Sequence, residues 1–318
     1  MSKYRQRLPQ LQDELFLTDG GIETTLIFQE GAVLPFFASF ILLQGESGAS
    51  LLRRYFTRYA RLAQSRELGL VLETPTWRAS ADWGAKLGYD TKALAVANRQ
   101  SVDLLLEIRQ SFETDLTPIV ISGNIGPRGD GYHPGSRMSG AEAQSYHAPQ
   151  IETFARTDAD MVAAFTMNYV EEAVGVARAA RAAAMPVAIS FTVETDGRLP
   201  SGATLEEAIA STDEASSGYP VYYMINCAHP THILPALGGA GGWQDRIRGL
   251  RANASRRSHQ ELDESPELDP GNPEELGREY QDLRALLRKL SVVGGCCGTD
   301  HRHVGAIARA MRPVGARI

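Results

Sequence analysis

The chain contains three cysteines, Cys227, Cys296 and Cys297, and their neighbours are unusual. Two are adjacent within Gly294-Gly295-Cys296-Cys297-Gly298-Thr299, and the third follows Asn226. An odd, small number of cysteines argues against a disulfide framework. Three thiolates would instead select a soft or borderline cation, and zinc is the usual occupant. With no fourth cysteine, a fourth coordination position falls to His, Asp, Glu, water or a substrate. His229, His232, His301 and His303 are the nearest candidates, although helix capping or surface polarity is the favoured reading of each. A lone cysteine is ordinarily a small buried hydrophobe, so from residue type alone both readings stay open. The glycines beside Cys296 permit the close approach and unusual backbone angles that two adjacent ligands on one metal demand.

The elements that must position these residues alternate in kind. Strands are expected at Leu15–Asp19, Leu70–Glu73, Pro118–Ser122, Met161–Thr166, Val187–Thr192, Val221–Asn226, Arg246–Arg251 and Ser291–Gly295. Helices are expected at Gly48–Leu68, Thr91–Phe112, Ala141–Ala155, Val170–Ala184, Leu205–Ala210 (capped by Thr204), Thr231–Leu237, Pro273–Leu290 and His301–Met311. Eight strands alternating with eight helices indicate a parallel sheet. In 318 residues they indicate a single α/β domain over 1–318, a (β/α)₈ TIM barrel. An open doubly wound sheet is the alternative; Gly20-Gly21 after the first strand is not a GxGxxG fingerprint, which lowers its nucleotide-binding version. A barrel enzyme carries its chemistry at the C-terminal ends of its strands. Here those ends hold Asp19, Glu73, Asn124, Phe165-Thr166, Thr192 to Glu194, Asn226-Cys227, Asn253 and Cys296-Cys297, so all three cysteines fall on one rim.

Other residues exclude chemistries. The four lysines, Lys3, Lys86, Lys92 and Lys289, lie in the tail, loops or helices, whereas a Schiff-base barrel needs a lysine near a strand end. There is no HExxH. With 32 basic and 38 acidic residues the net charge is −6, which argues against nucleic-acid binding. No apolar run approaches the roughly 20 residues of a membrane span. The N-terminus lacks an apolar signal core. A cytoplasmic protein with small-molecule partners is expected, with no oligomeric state implied.

These motifs resemble the homocysteine S-methyltransferase family of zinc-dependent barrels. Asp19-Gly20-Gly21 is similar to the family's opening DGG, Glu73-Thr74 to its ET, Gly123 to Pro127 to its GNIGP segment, Asn226-Cys227 to its NC, and Gly294 to Thr299 to its GGCCGT. The resemblance runs from about Leu15 to Met311. It implies that Cys227, Cys296 and Cys297 hold Zn²⁺ and act in catalysis, with a substrate thiol in the fourth position. The thiolate would take a methyl group from a small onium donor, giving methionine from homocysteine. It also implies that Asp19 binds the homocysteine amino group, that Gly20, Gly21 and Glu73 line the substrate site, and that Asn124 and Asn226 position polar groups near the metal.

One position departs from the family pattern. Phe165 stands where many members carry an acid at the end of strand four, and a phenyl ring offers an ammonium only a cation–π contact. Glu194 is a candidate substitute. A different thiol acceptor, or a non-catalytic zinc barrel that senses a thiol or onium ligand, are the competing readings. The chain has no room for folate or cobalamin modules, so S-methylmethionine is the favoured donor, ahead of S-adenosylmethionine or a betaine-like compound. Trp77 is a candidate face for the onium group. The loops Gly126–Gly140 and Asn253–Asn272 are candidate lids.

Overall fold

The structure, a computed structural model, describes residues 2–12, 14–238, 241–265 and 267–311. Eight parallel strands close into a barrel: β1 (Phe16–Leu17), β2 (Gly69–Glu73), β3 (Ile119–Ile125), β4 (Met161–Met167), β5 (Val187–Phe191), β6 (Tyr222–Asn226), β7 (Ile247–Ala252) and β8 (Val292–Gly295). Each pairs with its sequence neighbour, and β8 pairs with β1 through Phe16 opposite Val292. The strand period of two divides the side chains between two cores. Leu70 and Leu72 face the outer helices, while Phe16, Val71, Val120, Met161, Ala163, Ala188, Tyr222, Met224 and Val292 fill the interior. No described helix is long and apolar enough to cross a membrane.

The helices begin where local chemistry favours them. Asp90 accepts from the Ala93 amide at 2.8 Å and starts the helix Thr91–Phe112. Ser139 with Glu142, and Thr204 with Glu207, form reciprocal capping boxes for Gly140–Ala155 and Leu205–Ser216. The long helices Glu46–Ser65, Thr91–Phe112, Val170–Ala182 and His301–Met311 lie within three residues of their sequence expectation at each end. The N-terminal end of the barrel is plugged: Leu8 packs into the interior and Gln10 donates to Met161 Sδ at 3.1 Å.

Several boundaries differ from the sequence expectation. β3 continues through Gly123, Asn124 and Ile125, which pair with Val162, Ala163 and Ala164. A glycine-rich run reads as loop, yet Gly123 is required in the ladder because a Cβ there would lie 2.6 Å from the Phe154 ring. The expected helix Thr231–Leu237 is a single turn, Pro230–Ile233, followed by a 3₁₀ turn, Leu234–Leu237. Pro235 has no N–H to continue the α-helical ladder. The helix from Pro273 stops at Leu286, and Leu287 and Leu290 bury their side chains as the chain turns into β8. Short helices at Ile22–Phe28, Ala81–Lys86 and His259–Asp263 lie in segments read as connections. The last has a sequence signal, because Ser258 and Glu261 form a capping box.

Candidate functional site

A cavity of about 400 Å³ opens at the C-terminal ends of the strands. Its wall includes Asp19, Gly20, Gly21, Glu73, Asn124, Asn226 and all three cysteines, and it also includes Arg251 and His259. The sulfur atoms of Cys227, Cys296 and Cys297 lie within 4.8 Å of one another. Among the described residues this is the single group of at least three His, Cys, Asp or Glu side chains with metal-site spacing, and no histidine belongs to it.

Backbone geometry delivers the sulfurs. Cys227 follows β6 with φ of 55°, in the left-handed region. Its N–H donates to Arg251 O at 3.1 Å and its carbonyl accepts from Asn253 Nδ2 at 2.9 Å. Cys296 donates to Ala252 O at 2.8 Å, and Ala254 donates to Cys297 O at 3.0 Å. The turn closes at Gly298, φ 79°, where a side chain would be strained. Gly21 lies so close to this loop that a Cβ would sit 2.5 Å from Cys296 O. The DGG and GGCCGT segments therefore fit together only with glycine at that position.

Cys227 and Cys296 are joined as a disulfide, and Cys297 lies outside that bond. This corrects the expectation that an odd cysteine count leaves no bridge. Residues 69 positions apart meet because β6 and β8 end on the same rim, with Cα atoms 5.3 Å apart. Convergence of three sulfurs on one point is also what a shared soft cation requires, so the donor set fits such an ion once the bond is reduced to two thiolates.

A second cluster is organised by Arg251 at the end of β7, the strand that lies between β6 and β8. The buried guanidinium donates from Nη2 to Asp19 Oδ1 at 2.5 Å and to Gly20 O at 3.0 Å, and from Nε to Gly295 O at 3.0 Å. Tyr55 donates to Asp19 Oδ2 at 2.9 Å. Burial raises the Asp19 carboxyl, but a guanidinium that cannot release its proton and two donated hydrogen bonds hold it as the anion. The Arg251 guanidinium carbon lies 5.1 Å from the centroid of the Phe165 ring. Burial pushes Glu73 up to about 8 and Glu23 up to about 7, against a partial pull downward from Arg251. Glu73 Oε2 and Asn124 Oδ1 are buried without a hydrogen-bond partner.

Asn226 joins the ends of β4, β5 and β6 beside Cys227. Its Oδ1 accepts from Thr166 N at 2.9 Å and Ser190 Oγ at 2.6 Å, while Nδ2 donates to Thr166 Oγ1 at 2.9 Å. Thr166 has φ of 61°, so both residues this amide braces, Thr166 and the following Cys227, are in the left-handed region. Above the cavity, Tyr132 from the loop after β3 stacks on His259 from the loop after β7, with centroids 3.9 Å apart. The two loops read as lids thus meet over the cavity.

Other expected residues lie elsewhere. Glu194 is outside the cavity wall and faces Asp196 and His133, with its carboxyl raised by burial. His229 caps the turn at Pro230 and approaches Glu279 at 3.3 Å, and His303 packs between Asp300 and Pro270. Trp77 lines the wall, but Arg78 lies 3.8 Å from its ring centroid and so occupies one face. Arg251, Tyr55, Tyr132 and His259 were not singled out in the sequence. Arg251 carried the one available signal, a charged residue at the C-terminal end of a barrel strand whose neighbours Leu250 and Ala252 face outward.

A family profile described as homocysteine S-methyltransferase matches residues 16–311. Three solved structures of the homocysteine methyltransferase MmuM from Escherichia coli superpose on most of it. The oxidized form has a TM-score of 0.77 at 22% identity, covering 96% of this chain and 99% of that one. The metallated form has 0.73 at 20% identity over 96% and 98%, and the apo form 0.66 at 18% identity over 95% and 98%. At these identities the superpositions establish the shared barrel.

Proposed function

This chain belongs to the homocysteine S-methyltransferase family, and from that premise we propose that it transfers a methyl group from a small onium donor to the thiol of homocysteine, giving methionine. The family makes it a methyltransferase. Zinc as the metal and S-methylmethionine as the favoured donor are the proposed refinements. The observation that carries the reading is the convergence of Cys227, Cys296 and Cys297 on one wall of a substrate-sized cavity.

With the Cys227–Cys296 bond reduced by an external thiol, Cys227, Cys296 and Cys297 would hold Zn²⁺ as thiolates. When bound, such an ion supplies one thing: it lowers the pKa of a thiol that joins it, so that a thiolate is present at neutral pH. The chain's own residues do the rest. Asp19, Gly20, Gly21, Glu73 and Asn124 form the wall against which the acceptor is oriented, and Asn226 fixes the backbone that aims Cys227. Tyr132 and His259 cover the mouth, which limits water and holds the donor methyl in line with the acceptor sulfur. A C–S bond forms to the acceptor, the donor's onium–methyl bond breaks, its electron pair stays on the donor heteroatom, and the thiol proton passes to solvent.

The test is a mass-spectrometric assay of zinc-loaded protein with homocysteine and, in turn, S-methylmethionine, S-adenosylmethionine, betaine and dimethylsulfoniopropionate. Methionine formed fastest from S-methylmethionine is the expected result. No methyl transfer from any donor, with zinc bound, would overturn the reading in favour of a binding protein.

A further inference from the structure

We propose that the acceptor site reads the acceptor's carboxylate through Arg251 and does not require an α-ammonium, so that ω-mercapto carboxylates as a class are acceptors. This rests on the methyltransferase reading and specifies its substrate.

The argument starts from what an ammonium needs, a carboxylate free to accept its hydrogens. Asp19 is an ionised acid of the inner wall; Oδ1 accepts from Arg251 and Oδ2 from Tyr55, so the guanidinium already neutralises its charge. Phe165 offers a ring, and the Arg251 guanidinium is already placed over it. Glu73 is buried beside the same guanidinium, and its position favours the neutral acid. Of the outer acids, Asp130 accepts from the Tyr132 and His133 amides, and Asp269 from Gly271 N and Ser255 Oγ. An ammonium placed between the sulfurs and Asp19 would therefore meet a fixed cation in place of an unpaired anion.

A carboxylate meets the opposite situation. The described hydrogen bonds of Arg251 use Nε and Nη2, and Nη1 belongs to the same planar fork on the cavity wall. A guanidinium anchored on one edge presents its remaining N–H groups in fixed directions, the arrangement that suits a carboxylate. Glu73, as the neutral acid, adds a hydroxyl donor at an oxygen that now lacks a partner.

The test removes one group of homocysteine at a time from the substrate, leaving the protein intact. Acceptors are homocysteine, 4-mercaptobutanoate (no ammonium) and 3-aminopropanethiol (no carboxylate), each with the four donors above. A kcat/KM for 4-mercaptobutanoate within tenfold of homocysteine or above it, with 3-aminopropanethiol at least 100-fold below, is expected. A loss of more than tenfold on removing the ammonium, or less than 100-fold on removing the carboxylate, overturns the proposal. Calorimetric binding of the same three thiols to the zinc-loaded protein gives the order without turnover. If no thiol is methylated the methyltransferase reading fails, while tighter binding of 3-aminopropanethiol than 4-mercaptobutanoate separately overturns this one. Arg251→Lys, which keeps the charge, is expected to retain the preference for the carboxylate, and Arg251→Met to lose it.

Discussion

Two neighbouring parts of the cavity wall are built by different means. On the sulfur side, backbone amides and carbonyls place Cys227, Cys296 and Cys297, and short segments rich in glycine let the chains approach. Around Arg251, on the strand between them, side chains hold one another: Arg251 pairs with Asp19, 232 positions away, under Tyr55 and beside Phe165. A wall made of backbone is encoded by a contiguous motif and tolerates little change. A wall made of side chains can exchange its polar groups while the barrel stays the same, so the chemistry can persist while the acceptor's recognition changes.

The comparison can be broken most decisively on the sulfur side. Cys297→Ala should reduce bound zinc from near-stoichiometric to trace and abolish methyl transfer, as metal analysis of the purified protein would show. The barrel should remain folded, because the Cys297 side chain is only partly buried. Full zinc retention would sink the three-sulfur site. On the other wall, Arg251→Met should cost stability in place of metal. It leaves Asp19 buried without its counter-ion, a change worth about 3–5 kcal/mol. Urea denaturation measures this, and a loss below about 1 kcal/mol would mean the pair does not organise the wall.

Asn226→Ala tests the joint between the walls. It removes the acceptor shared by Thr166 N and Ser190 Oγ, for about 1–3 kcal/mol. It should also weaken zinc affinity, because the turn that aims Cys227 loses its brace. Unchanged affinity would show that the walls are independent.

A smaller effect is expected from Glu73. Its folded-state pKa of about 8 lies above the ordinary value of 4.5 because burial favours the neutral acid. The stability this gives is fully present below pH 4.5 and is lost as pH rises through about 8. Glu73→Gln should therefore flatten the fall in Tm between pH 5 and pH 8.5. An equal fall in both proteins would place the titration elsewhere. Phe165→Glu should raise the homocysteine KM by roughly threefold to tenfold, about 0.7–1.4 kcal/mol, because the new carboxylate would face Arg251 and compete with the substrate's carboxylate for it. A large gain in homocysteine affinity would mean that the guanidinium yields the site to an ammonium.

Much of this was legible beforehand. Strand and helix periods announced the eightfold alternation, since a barrel strand buries both faces and an outer helix one. The residues Asp19, Glu73, Asn124, Asn226 and the three cysteines stand at strand ends whatever the exact boundaries, and the cavity wall contains all of them. Glu194 lies outside the cavity wall because it stands three residues beyond the end of β5, where the chain has turned and no local pattern fixes its direction. The histidines after β6 and β8 resemble ligands in sequence but serve as a cap and a packed partner, roles set by neighbours far along the chain.

The sequence by itself therefore determined the barrel and the placement of the three cysteines on one rim, because each is written in local periodicity and short motifs. Only the tertiary structure decided that Arg251 neutralises Asp19, that Cys227 and Cys296 come within bonding reach, and that Tyr132 meets His259 over the cavity. Those contacts join residues 69 or more positions apart, or link two separate loops. Ring closure of the sheet sets their distances, and no local spacing carries that information.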